Sequence, residues 1–269
     1  MTTRIVSGLV LLFLLIITLV LGPKFSTLII TLIGILTVDE INLHFFRITR
    51  KSWSYFLSIL TFLVIFIPLY ISNRFENIDF YLVSFGVLVN LMLVFYLFFI
   101  PAESKFPKNL TFLATAAGLV IGVQLYSLAT IISKENWKLW MILILLLNYG
   151  MDTCAWFFGK NFGKHKLWPK VSPNKTVEGL IGGAIGATFI AGFYWYMMDQ
   201  VVGIFPIFCF AFWAFCSQVG DLIESKLKRH FGIKDSSGLI PGHGGIYDRI
   251  DSLLFLAPVF ASTLRFFYN

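Results

Sequence analysis

Charge is what this sequence has least of. Only 13% of its 269 residues are Asp, Glu, Lys or Arg, about half the share in a soluble domain. With 58% hydrophobic residues and a mean hydropathy of +0.82, a disordered chain, a collagen, a coiled coil and an ordinary cytosolic enzyme are all excluded. A soluble fold of this size could not hide so much Phe, Leu and Ile, since even a 300-residue protein buries only about 75% of its surface. Cysteine is scarce as well. Cys154, Cys209 and Cys216 are an odd number in apolar or near-motif settings, so no disulfide framework is implied. No fixed-period repeat, no low-complexity tract and no Walker A pattern is present. What is abundant is apolar sequence, and the solvent that suits it is lipid.

A membrane helix needs about 20 mostly apolar residues. Nine segments qualify as candidates, at 5–22, 25–38, 54–72, 80–100, 110–132, 138–158, 177–198, 201–220 and 250–268. The second is short for a full crossing. The first follows Arg4 but is long and lacks a small-x-small cleavage site, so it reads as a retained anchor. The fold class expected is all-α: one polytopic membrane domain of about nine helices, with N-terminal helices over 1–132 and motif-bearing helices over 138–268.

Lys and Arg set the orientation. With nine spans, 16 of the 21 basic residues fall on the side of the N-terminus: Arg4, Arg47, Arg50, Lys51, Lys105, Lys108, Lys160, Lys164, Lys166, Lys170, Lys175, Lys226, Lys228, Arg229, Lys234 and Arg249. Lys24, Arg74, Lys134, Lys138 and Arg265 fall on the other. The N-terminus is therefore expected in the cytoplasm, the C-terminus outside, and the protein in the inner membrane. The same split accounts for the pI of 9.3 without nucleic acid. Basic loops beside an anionic leaflet are ordinary, and Arg47, Arg50 and Lys51 read that way. Segment 39–52 mixes apolar and basic residues and reads as a short amphipathic helix along the interface.

The 14 acidic residues are unevenly spread, with eight between Asp152 and Asp251. Several sit in or beside apolar spans, where a charge costs about 2.5–3.5 kcal/mol at mid-membrane. Asp152, Glu178, Asp221, Glu224, Asp248 and Asp251 all fall near the cytoplasmic ends of spans six to nine. Asp248 and Asp251 are three apart and share a helix face. Two carboxylates about 5 Å apart repel by roughly 3 kcal/mol at an effective dielectric of 20. A divalent cation removes that cost, and carboxylates with few His or Cys nearby favour Mg²⁺. A second reading has Asp248 pairing with Arg249 or capping the last helix.

Two basic loops accompany the acids. Residues 159–179 carry five Lys and lead into a helix at Val177; Ser172, Asn174, Lys175, Thr176 and Glu178 bring hydroxyls, a cation and free backbone N–H groups to that helix start, the makings of an anion site. Residues 224–251 set His243 among Gly242, Gly244 and Gly245, and such glycines allow close backbone approach to a ligand. A histidine alone is more often structural; the glycine setting of His243 puts a functional reading level with the structural one. A cation with Lys and Arg around it suits a polyphosphate, as phosphoryl transfer requires. Asn90, Gln124 and Asn148 read as interhelical hydrogen bonders, and Gly179, Gly182, Gly183 and Gly186 as a tight packing seam on span seven.

Residues 225–251, SKLKRHFGIKDSSGLIPGHGGIYDRID, closely resemble the signature of the phosphatidate cytidylyltransferase (CDP-diacylglycerol synthase) family. The fixed positions are Ser225, Lys228, Arg229, Lys234, Asp235, His243, Gly244, Gly245, Asp248, Arg249 and Asp251. A second stretch, 152–183, is similar through Asp152, Gly159-Lys160, Gly163-Lys164, Pro169, Ser172-Pro173, Lys175-Thr176 and Glu178-Gly179. The resemblance covers roughly the last 120 residues; the first half agrees only in being hydrophobic.

The resemblance implies transfer of a cytidylyl group from CTP to phosphatidate, with Mg²⁺ and a monovalent cation such as K⁺ sharing the site. It places Asp221, Asp248 and Asp251 on the metal. Lys228, Arg229, Lys234, Asp235 and His243 become catalytic, and Ser172, Asn174, Lys175, Thr176, Glu178, Ser225, Gly244, Gly245 and Arg249 bind substrate. A homodimer fits the family. Two rivals are a related CTP-dependent enzyme acting on an ether lipid or polyprenol, and a cation transporter using Asp152, Asp221 and Asp248. A CDP-alcohol phosphotransferase is excluded because its Asp-Gly…Asp…Asp pattern is absent.

Overall fold

A computed structural model of the chain describes residues 2–71, 76–101 and 109–267. Arg74, Lys105 and Lys108, which enter the charge count, lie outside the described residues, as do the side chains of Arg4 and Arg265. Among the described residues nine α-helices follow in order: α1 (Thr2–Leu21), α2 (Pro23–Glu40), α3 (Trp53–Tyr70), α4 (Glu76–Phe99), α5 (Leu110–Ile132), α6 (Trp137–Phe162), α7 (Val177–Met197), α8 (Ile204–His230) and α9 (Tyr247–Leu264). Their starts obey local chemistry. Pro23 opens α2, where a missing N–H costs nothing. Ser52, Asn109 and Thr176 cap α3, α5 and α7 by accepting from the N–H of Tyr55, Phe112 and Gly179.

Each expected segment coincides with a helix, to within about four residues at either end except for the eighth, where α8 runs on past 220 to His230. Among the described residues seven, not the nine expected, are long and apolar enough to cross a bilayer, among them Pro23–Phe45, longer than the sequence reading of that span. It exceeds 25–38 because α2 runs through Asp39 and Glu40 into a π turn, Ile41–Phe45. Segment 39–52 is therefore not a separate interfacial helix. Its first half belongs to α2, Glu40 and Asn42 are buried, and the chain leaves the helix through Arg47 at a φ of 55°. Arg50 pairs with Asp39 at 2.8 Å. The apolar first helix is described over Val6–Leu21, while α9 carries Asp248, Arg249 and Asp251 in its first turns.

The described residues are not purely helical. Lys166–Trp168 (β1) and Ser172–Thr176 (β2) form a small antiparallel hairpin, with Lys166 opposite Thr176 and Trp168 opposite Ser172. The strands are short and lack alternating hydrophobicity, so the sequence pattern did not announce them.

Inside the bundle, small residues and amides do the joining. Gly182 packs on the Phe158 ring, Gly183 on Ala155 and Met151, and Gly186 on Cys154, so the glycine seam binds α7 to α6. Asn90 donates to Phe255 O at 2.6 Å and accepts from Gln124 at 3.1 Å; Ser217 donates to Asn148 at 2.8 Å. All three amides thus hydrogen-bond between helices, as expected in lipid. A cluster of Trp140, Trp195, Trp213, Phe210, Phe260 and Phe267 packs α6–α9 together. Outward-facing Phe189, Phe193 and Phe208 suit a lipid surround. Cys154, Cys209 and Cys216 are free thiols.

Candidate active site

The site forms where α8 and α9 approach most closely. A side chain at Gly220 would come within 3.0 Å of Phe255 Cβ, Ser252 Cα and the Asp251 carbonyl. With glycine there, the next residue of α8 meets the first turns of α9. Asp221, Glu224 and Asp251 each bring one carboxylate oxygen within 4.8 Å of the others. Glu224 is 2% exposed, and its Oε1 has no hydrogen-bond partner. Three converging carboxylates with an orphaned buried oxygen form a hard-oxygen donor set, which fits a divalent cation such as Mg²⁺.

Lysines hold this cluster in place. Lys175, from the hairpin, lies 2.5 Å from Asp221 Oδ2. Lys228 bridges Glu224 Oε2 at 2.7 Å and Asp248 Oδ1 at 3.0 Å. Ser225 donates to Asp221 Oδ1 at 3.2 Å. Asp248 plays a different part from Asp221 and Asp251. Its carboxylate accepts from Ser236 N at 3.0 Å and Gly245 N at 2.9 Å, and so closes the loop between α8 and α9 on itself. Gly244, at a φ of 83°, leaves no room for a side chain beside Asp248 Oδ2. Geometry thus groups Glu224, rather than Asp248, with Asp221 and Asp251.

Two cavities flank the cluster. One, of about 440 Å³, is polar and lined by Asp152, Lys160, Asn174, Lys175, Gln218 and Asp221, among others. The other, of about 280 Å³, is apolar. Its walls include Leu93 and Tyr96 of α4, Ala117 and Val120 of α5, and Ile223 of α8, with Asp251 among its few polar residues. The carboxylates therefore stand between a chamber that carries charged and amide side chains and one that is almost wholly apolar. Asp152 faces the polar chamber, within electrostatic reach of Asp221, Lys175 and Arg249. Lys160 sits 5.0 Å above the Trp156 ring at its rim.

The remaining motif residues fall outside the carboxylate cluster. Thr176 is the buried cap of α7. Glu178 accepts from His165 N at 3.2 Å and lies 2.6 Å from His165 Nδ1, securing the start of the hairpin. Ser172 lies in strand β2. Arg229, Lys234, Asp235 and Arg249 are exposed around the loop. His243 Nδ1 lies 2.7 Å from Ser7 Oγ of α1. Lys226, of the same basic run, is buried: it donates to Tyr96 O at 2.8 Å, Leu97 O at 2.7 Å and Ile100 O, closing the end of α4. Sequence reasoning missed Glu40, whose Oε2 accepts from Ile246 N at 2.8 Å. An acid at the end of an apolar span was the available signal.

Fold and site together define a multi-pass helical membrane protein whose carboxylates and lysines meet between a polar and an apolar cavity. The chain belongs to the Cytidylyltransferase family, whose model matches residues 2–267. It is similar to the phosphatidate cytidylyltransferase of Bacillus subtilis (strain 168), 38% identical over 155 residues, which is 57% of this chain and 58% of that protein. Proteins of the same name from Staphylococcus saprophyticus and Staphylococcus aureus (strain COL) are 43% identical over 129 and 121 residues, in each case 45% of this chain and 46% of the relative. The matches thus span about half the length of these curated relatives.

Proposed function

We propose that this protein transfers the cytidylyl group of CTP to phosphatidate, giving CDP-diacylglycerol and pyrophosphate in phospholipid biosynthesis. The observation that carries this reading is the position of the Asp221–Glu224–Asp251 cluster. It borders a polar chamber suited to a nucleotide and an apolar one suited to acyl chains. A lipid phosphate oxygen attacks the α-phosphorus of CTP, the bond from that phosphorus to the bridging oxygen breaks, and pyrophosphate leaves. The attacking phosphate is already anionic, so no base has to generate it.

What remains is positioning and charge stabilisation. Lys175 and Lys160 supply positive charge in the polar chamber, and Asn174 offers an amide beside them. Lys228 bridges Glu224 and Asp248 and holds both in their working arrangement. Mg²⁺ held by Asp221, Glu224 and Asp251, with K⁺ as a second ion, would supply counter-charge to the phosphates. We further read the N-terminus and the site as cytoplasmic, which suits cytosolic CTP.

The test is purified protein in detergent with CTP, phosphatidate and Mg²⁺, with and without K⁺. The expected products are CDP-diacylglycerol and pyrophosphate. No product from phosphatidate, with product from a phosphorylated ether lipid or a polyprenol, would overturn the acceptor assignment. Undiminished turnover after chelation would overturn the metal.

A further inference from the structure

We propose that Glu40, at the end of α2 and 206 positions before its partner Ile246 in sequence, is a positioning residue of the active site. Its buried carboxylate fixes the loop between α8 and α9 in the form that closes on Asp248. The proposal rests on the activity proposed above and deepens it.

Glu40 is 4% exposed at the end of an apolar helix. A buried carboxylate there is costly unless it is hydrogen-bonded. Its partners are all in the signature loop. Oε2 accepts from Ile246 N at 2.8 Å. Oε1 lies so near Gly245 that a Cβ there would overlap it, and the Ser236 hydroxyl occupies the same spot from the other side. Gly245 and Ile246 are neighbours whose N–H groups part ways, one to Asp248 at 2.9 Å and one to Glu40. Ser236 is likewise shared, its N–H going to Asp248 at 3.0 Å and its side chain lying beside Glu40. Two carboxylates, one local and one distant, therefore clamp the same stretch of backbone.

The π turn directly after Glu40 strengthens the argument. Such turns are frequent at functional sites. Here it brings Phe45 edge-on against Phe231 at 5.7 Å and Tyr247 at 5.8 Å, the residues that flank the loop at its two ends. The end of α2 thus touches both ends of the loop and, through Glu40, the backbone between them. From the loop the linkage runs through Asp248 to Lys228, and from Lys228 to Glu224 of the carboxylate cluster. Glu40 touches none of the cluster itself, which is why its role is positioning.

Hydrogen exchange and steady-state kinetics on the full chain in detergent test this. E40A should speed exchange in peptides covering 236–246 while peptides from the middle of α8 keep wild-type protection, and should lower kcat by about 10- to 100-fold, the usual scale for losing a supporting partner of a metal site. E40Q keeps an acceptor for Ile246 N–H and gains a donor toward Ser236, so it should restore both readouts. A merely structural role would instead loosen the helices as well and lower kcat in proportion to the folded fraction. E40D keeps the charge but withdraws it by one methylene; it should show the loop effect in milder form and stands in if E40A does not fold. Wild-type exchange and kcat in E40A or E40D, or E40Q as impaired as E40A, would overturn the proposal. Exchange reads the loop without turnover, so a wild type that forms no CDP-lipid counts against the activity alone.

Discussion

Glu224 is the most constrained acid of the cluster: 2% exposed, one oxygen held by Lys228 at 2.7 Å and the other orphaned. An orphaned buried oxygen costs about 1–3 kcal/mol or more for a charged group, a cost that a bound cation relieves. E224Q should therefore lower kcat by about 10²–10³-fold, as for loss of a preorganised charge contact, and should cut Mg²⁺ affinity; near-normal turnover would remove Glu224 from the ion. K228M frees both carboxylates of their shared cation and should cost about 10- to 100-fold, with part of the loss reappearing as a raised Mg²⁺ requirement in the same titration. That acids from separate helices gather at one place was largely legible from the sequence, because a carboxylate in an apolar helix needs a reason to be there. What each acid does was not. Asp248 and Asp251 stand three apart on one helix, yet Asp248 turns back to the N–H groups of Ser236 and Gly245 while Asp251 turns toward Asp221. Spacing places two side chains on a face; only the folded loop decides which of them it closes around.

At the scale of elements, the long apolar helices could be read directly and the short polar pieces could not. Gly182, Gly183 and Gly186 announced a seam, and the seam sets where the hairpin stands, since Thr176, one residue past Lys175, caps α7. A leucine at Gly182 would run into the Phe158 ring. Overpacking of this kind costs about 1–3 kcal/mol, and here it should also shift Lys175 away from Asp221. G182L is expected to lower the unfolding temperature in detergent and to raise KM for CTP, both measurable on one preparation; an altered melting temperature with unchanged KM would detach the seam from the site. The hairpin escaped the sequence because its strands carry Lys, Pro and Asn rather than a repeating apolar pattern. The N-terminal half was opaque for another reason. Its helices read only as apolar bulk, yet Glu40, Ser7 and the carbonyls of Tyr96 and Leu97 all reach the signature region. Contacts across 129 to 236 positions leave no local trace.

For the molecule as a whole, the central feature is that one cluster of acids serves two chambers of opposite character. Asn174 and Asp221 line the polar one; Ala117 and Asp251 line the apolar one. If the nucleotide occupies the first and acyl chains the second, damage to either wall should show in one substrate only. N174A removes an amide from the polar wall and should raise KM for CTP, leaving KM for phosphatidate as in wild type. A117W fills part of the roughly 280 Å³ apolar chamber and should do the reverse, most strongly for long acyl chains, because each buried methylene excluded forfeits about 0.8 kcal/mol. A short-chain phosphatidate should therefore recover much of the lost activity in A117W and none in N174A. Steady-state kinetics with both substrates varied, and with phosphatidates of two chain lengths, checks the pair. Equal effects of A117W on both KM values would mean that the apolar chamber is not where the lipid lies, and the shared cluster would then need another explanation.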